Sequence, residues 1–169
     1  MNPRLSLKPL DPEDLSLVMP LLKALPADEN SFQNTAFGLN EKELKAWLVE
    51  QHAWSLGENL PKGYVKQWTY WLMLDDEPVG YGKLRERATE QSKRNGGNIG
   101  LAVHPQHRGL GYGGKLFALL LEEAKKLGIP EIYSTVRKGN IPSHKVHLKH
   151  GFKVWDEDED WWYYHFSLG

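Results

Sequence analysis

The segment Val103-His104-Pro105-Gln106-His107-Arg108-Gly109-Leu110-Gly111-Tyr112-Gly113-Gly114 has the residue types of an anion site. Four of its last six residues are glycine. Glycine lacks a Cβ, so its backbone N–H can come close to a phosphate. The segment leaves an apolar stretch, residues 98–103, and enters the strongest helical pattern of the chain, residues 113–127. A helix start presents unpaired N–H groups and a partial positive charge. Arg108 adds a full charge. The spacing predicts a pyrophosphate cradle; the alternative is a glycine-rich turn that only caps a helix. Gly109, Gly111 and Gly114 also satisfy the dinucleotide pattern GxGxxG, so a nucleotide-binding oxidoreductase is a rival. Against it, five residues separate the apolar stretch from the first glycine, where a dinucleotide turn is tight, and no acid closes the next strand for a ribose. A P-loop is excluded because no Gly-Lys-Ser/Thr follows.

Other residues are candidates for proton transfer or recognition. His144, His147 and His150 form HxxHxxH. At roughly 100° per residue, the outer two lie about 240° apart on a helix, so one metal cannot take all three. No metal is expected. Glu86 and Glu90 follow an extended stretch and are candidate bases, or else surface charge. The five acids of residues 156–160 could attract a cationic amine or simply solvate a hairpin tip. Phe32, Trp47, Trp54 and Trp71 are candidate pocket walls, with core as the alternative for Trp47 and Trp71.

These residues need a scaffold. Residues 1–60 read as helical. Asp11 precedes Pro12 as an N-cap, and Leu15, Val18, Met19, Leu22 and Leu25 follow helical spacing. Pro20 predicts a kink or break there. Residues 26–39 read as loop. Asn40 caps a second helix. Residues 68–74 and 79–84, joined by Asp75-Asp76-Glu77-Pro78, predict a β-hairpin. Residues 98–103 predict a strand, 113–127 a helix ending at Gly128, and 131–136 another strand. Residues 142–150 predict a short helix, and 152–155 and 161–168 two last strands. The alternation argues for an α/β domain.

Size and composition bound the function. A chain of 169 residues suits one domain. It has no cysteine, which excludes disulfides, thiolate nucleophiles and Cys-ligated metals. With 21 basic and 22 acidic residues the net charge is −1, no basis for binding nucleic acid. No apolar run approaches the ~20 residues needed to span a bilayer. The N-terminus lacks a signal-peptide core, so a cytoplasmic location is expected.

Two motifs then resemble the GCN5-related N-acetyltransferase (GNAT) superfamily. One is Val103-His104-Pro105 followed by Arg108-x-x-Gly111-x-Gly113. The other is Asn140-x-x-Ser143 with Gly151-Phe152 at the next helix end. Together with the preceding hairpin they cover roughly residues 68–155. Trp71, Arg85 and Gly96-Gly97-Asn98-Ile99-Gly100 look like a little-characterised bacterial subgroup. The resemblance implies a single domain over residues 1–169, with an acceptor-side region at 1–60 and a sheet and cofactor region at 64–169. It implies a mixed, mostly antiparallel central sheet flanked by helices, with a splayed strand pair that holds the cofactor.

The implied co-substrate is acetyl-CoA. Leu101, Ala102 and Val103 would bind its pantetheine arm. Arg108, Gly109, Leu110, Gly111, Tyr112, Gly113 and Gly114 would hold its pyrophosphate. Asn140 and Ser143 would contact the arm or order the following loop. Many members carry Tyr seven residues after the Asn; here it is His147, a chemically sensible acid for the departing thiolate. The base stays open, with Glu86 as the candidate and surface charge as its alternative. The implied reaction is acetyl transfer to a primary amine, small molecule or peptide, by direct attack in a ternary complex. A non-catalytic CoA-binding sensor is the alternative. A homodimer through the aromatic stretch Trp161-Trp162-Tyr163-Tyr164 is a further expectation.

Overall fold

The first sixty residues, expected to be helical, begin with a strand. The computed structural model describes residues 2–29 and 32–169. Its elements are β1 (Leu5–Pro9), α1 (Leu15–Ala24), β2 (Asp28–Glu29), β3 (Phe32–Gln33), α2 (Glu41–Ser55), β4 (Gln67–Leu74), β5 (Glu77–Arg85), β6 (Ile99–Val103), α3 (Tyr112–Lys126), β7 (Glu131–Arg137), α4 (Ile141–Lys149), β8 (Lys153–Glu157) and β9 (Trp161–Ser167). One sheet has the order β1-β4-β5-β6 and a second β7-β9-β8. Every pairing within them is antiparallel. The α/β class is as the sequence implied, but the single expected sheet is two.

Four local readings need correction. Five residues of β1 are too few to show a period, and tertiary pairing with β4 makes the strand. The first helix starts at Asp14, not Asp11. Asp14 is nearly buried, where its carboxylate accepts from Lys8 Nζ at 2.8 Å and Trp71 Nε1 at 3.2 Å. Those bonds tie the start of α1 to β1 and β4. Helix α1 also runs through Pro20 without ending. Proline removes one backbone donor, while the buried face of Val18, Leu21 and Leu22 holds the helix to the core. Within the stretch read as loop, β2 and β3 form a small antiparallel pair.

The hairpin is apolar on both faces because it separates two cores. Tyr70, Leu72, Val79 and Leu84 face α3 and its Leu116, Phe117 and Leu120. Trp71, Met73 and Tyr81 face α1 and α2. Burying each large apolar side chain contributes roughly 1.5–3 kcal/mol. Helix α2 starts with a capping box in which Asn40 and Glu43 bond reciprocally.

The two sheets meet at Gly97 and Asn98. Asn98 donates its backbone N–H to Tyr133 O, and its Oδ1 accepts from Tyr133 N at 2.7 Å. Gly97 has φ +68, and a Cβ there would lie 1.9 Å from Tyr133 O. Gly97→Ala must therefore push β6 away from β7. It should cost at least about 2 kcal/mol in urea unfolding. Gly139→Ala, with nothing within 4 Å, should stay within about 0.5 kcal/mol of the parent. Equal effects would contradict the close approach.

Candidate active site

The start of α3 is built as an open positive end. After β6, residues 105–107 make one 3-10 turn, in which His104 Nδ1 accepts from the Gln106 N–H at 3.1 Å. Gly109 and Gly111 follow at φ +77 and +82, the left-handed region that glycine alone adopts freely. A Cβ at either would meet nothing within 4 Å. Gly111 is the N-cap of α3; it offers no side-chain cap, and the first turn holds no acid. The N–H groups of Tyr112, Gly113 and Gly114 thus have no acceptor within the helix. They carry its positive end. Arg108 donates from Nη2 to Glu29 at 2.8 Å and from Nε to Val103 O at 3.2 Å.

This helix end opens on a cavity of about 940 Å³ between β6 and β7. Beyond Asn98, β6 is the unpaired edge of the first sheet and β7 the edge of the second. Residues 101–103, 108–109 and 111–114 line the cavity, with Asn140, Ser143 and His147. So most of the residues singled out from the sequence come together. Leu110 does not line it and is exposed. Asn140 caps α4, its side chain accepting from the Ser143 N–H at 3.3 Å.

His147 is buried among Phe117, Phe152 and Tyr164. Its Nδ1 lies 2.7 Å from Ser143 O, and its Nε2 lies 2.8 Å from Ser134 Oγ. A carbonyl only accepts, so Nδ1 carries the proton. In the neutral ring, Nε2 then accepts from the Ser134 hydroxyl. Burial lowers the imidazole pKa to about 4, so the ring is neutral near pH 7. The expected imidazolium donor is not the species held here. His144 stacks on Trp162 and bonds the Tyr164 hydroxyl; His150 Nδ1 bonds Val146 O at 2.9 Å. The three histidines hydrogen-bond to different partners.

Glu86 is placed away from the cavity. It follows the last residue of β5, and its Oε1 accepts weakly from Lys66 N at 3.4 Å. Glu90 pairs with Lys93. The acids of residues 156–160 organise their own hairpin: Asp156 pairs with Arg94, Glu157 with Lys138, and Asp158 accepts from the Tyr163 hydroxyl at 2.6 Å. Trp47 and Trp71 are core. Phe32 both packs on that core and lines the cavity. Trp161 to Tyr164 lie in β9, the middle strand of its sheet. Its backbone is partnered on both sides, so an interface there could use only its faces.

Two buried cations of the cavity were not read as site residues from the sequence, Arg85 having entered only in the subgroup resemblance. Lys83 and Arg85 sit on one face of β5, alternating with Leu84, which faces the α3 core. Lys83 Nζ donates to Gln33 O at 2.6 Å and lies 4.7 Å from the Phe32 ring centroid. Burial, aided by Arg85, lowers its pKa to about 7. Arg85 donates to Gln67 Oε1 at 2.9 Å and Gly97 O at 3.2 Å. The available signal was the basic alternation Lys83, Arg85, Arg87.

The buried imidazole has a stability signature. A histidine whose pKa drops on folding leaves the unfolded chain binding more protons between the two values. Its stabilising effect is complete above about pH 6.5 and is lost as pH falls towards 4. That gap corresponds to roughly 3 kcal/mol. Urea unfolding of the parent should weaken more steeply between pH 6.5 and 4.5 than that of His147→Phe. Parallel pH profiles would contradict a neutral buried ring.

Comparison with known proteins agrees with this geometry. A sequence model of the acetyltransferase (GNAT) family matches residues 32–152. A GNAT-family acetyltransferase from Streptococcus pneumoniae superposes with a TM-score of 0.67 at 18% identity, covering 98% of this chain and 100% of that one. The Salmonella typhimurium acetyltransferase that modifies the N-terminal serine of ribosomal protein L7/L12 gives 0.66 at 16% identity, covering 98% and 95%. YncA from Salmonella typhimurium, solved with acetyl-CoA, gives 0.66 at 17% identity, covering 98% and 95%. With a family match over most of its length and this fold, the chain belongs to the GNAT acetyltransferase family.

Proposed function

We propose that this protein transfers an acetyl group from acetyl-CoA to a primary amine, both substrates being bound together. The observation that carries this reading is the uncapped glycine start of α3 opening into the cavity between β6 and β7. The fit to acetyl-CoA is chemical. No Cβ fills the approach to Gly109 or Gly111, and the first-turn N–H groups lack helical acceptors. These groups and Arg108 suit a pyrophosphate. The free edge of β6 at residues 101–103 suits an extended amide-bearing arm, as an added strand. Asn140 and Ser143 close the far wall. Bound acetyl-CoA supplies an activated acetyl thioester.

The chain's own part is mainly positioning. Two substrates held in line lose the entropic barrier of a bimolecular encounter. Among the described residues, the one acid lining the cavity, Glu29, is already paired with Arg108. His147 acts through Ser134: its ring fixes the hydroxyl at the cavity wall. It is a positioning residue in this reading, and Glu86 has no part. A role in binding CoA without turnover would share the same cradle, and CoA release separates the two.

Calorimetric titration with acetyl-CoA tests the cradle, with NADH as control. Acetyl-CoA should bind saturably and NADH should not. Gly111→Asp brings a side chain into the left-handed region and a negative charge to the helix end. It should weaken acetyl-CoA at least about a hundredfold, roughly 2.7 kcal/mol. Unchanged affinity in a folded variant would show that the phosphate lies elsewhere. CoA release that no amine accelerates would leave a binding module.

A further inference from the structure

We infer that the acceptor amine carries an anionic group of its own, a carboxylate or a phosphate, and that Lys83 and Arg85 receive it. This rests on the acetyl-transfer reading above and names the acceptor class of that site. Both cations are largely buried and line the cavity. Their partners are neutral. Lys83 has the Gln33 carbonyl and the rings of Phe32 and Tyr81. Arg85 has the Gln67 amide oxygen and the Gly97 carbonyl. Gln67 in turn donates to Gln51 Oε1 at 3.0 Å. Gln67 thus stands where a glutamate would have balanced Arg85. Neither cation forms an ion pair among the described residues. Their low pKa values are the consequence of burial without an opposite charge.

Buried charge without a counter-ion is costly. A bound anion removes that cost. Two of the five N–H donors of Arg85 are used, so it retains capacity. Arg87, exposed at the cavity rim, extends the same sign outward. The cofactor's pyrophosphate is not the missing anion. Arg85 N–H bonds Asn98 O, and Lys83 lies opposite Gly100, both at the start of β6. The α3 cradle follows its other end. Five residues of strand put about 16 Å between Asn98 and Val103. Lys83 and Arg85 therefore lie towards the thioester end of an arm running along β6, away from the pyrophosphate. A dicationic amine would be repelled there.

The test uses acetyl-CoA-loaded protein and amines matched in length, with spacers of two to five carbons. Each spacer is offered as amino carboxylate, amino phosphate, amino amide and diamine, and CoA release is followed. The expected result is a kcat/KM at least about tenfold higher for one of the anionic series than for the amide, with the diamine lowest. The carboxylate and phosphate arms identify which anion is read. Gln67→Glu, which would pair Arg85 internally, and Lys83→Met should each reduce that preference to within about threefold. Calorimetry should show their acetyl-CoA affinity retained. A preference for amide or diamine overturns the inference. So does retention of the anion preference in both variants. If no anionic amine accelerates CoA release or raises the melting temperature while acetyl-CoA still binds, the pair is not an acceptor subsite. Failure to bind acetyl-CoA would instead overturn the reading of the cradle.

Discussion

Asn98 is where one sheet hands over to the other, and the cavity exists because the handover is so brief. Its side chain is almost wholly buried and bonds both sides: Nδ2 donates to Glu131 O at 3.0 Å and to Arg85 O at 3.3 Å, while Oδ1 accepts from Tyr133 N. Its backbone pairs with both neighbours too. Each such bond contributes about 0.5–1.5 kcal/mol net, and an orphaned partner would cost more. One residue thereby does what a ladder does elsewhere. Gly97 allows the approach by having no side chain. Past this point β6 pairs only with β5, and its outer edge faces the space that β7 leaves.

The charges around that space are arranged by burial and backbone direction. One end is the positive start of α3, formed from peptide dipoles and Arg108. The other is the pair Lys83 and Arg85, held by glutamines and carbonyls. Between them the described wall has hydroxyl and amide groups and a neutral His147. The one carboxylate is spent on Arg108. Such a site stabilises negative charge and places reactants. It does not depend on a strongly basic side chain.

The parts of this that were legible in the sequence are those with local signatures. Glycines at fixed offsets before a periodic helix announced the uncapped start of α3, and Asp75-Asp76 marked the hairpin. The asparagine caps of α2 and α4 obey short-range chemistry. What was illegible depends on tertiary pairing. β1 is a strand because β4 offers it an edge, and Pro20 is tolerated because three apolar side chains anchor its helix. Glu86 lies outside the cavity lining because it is out of phase with Lys83 and Arg85, whose face of β5 the cavity meets. His147 lines the cavity, and its protonation state follows from its burial among Phe117, Phe152 and Tyr164, which the fold brings to it. Lys83 and Arg85 carried no local signature of a site, because their burial beside the cavity comes from the fold.

The most direct test of where acetyl-CoA lies is an amide-resolved NMR titration of the isotope-labelled protein. Saturating acetyl-CoA should move the amides of residues 99–103 and 109–114, and those of Ser134, Asn140 and Ser143. The amides of α2 and of the hairpin tip at residues 156–160 should stay in place. Shifts centred on α2 or on β8 and β9, with residues 109–114 unmoved, would contradict a cofactor held between the diverging strands.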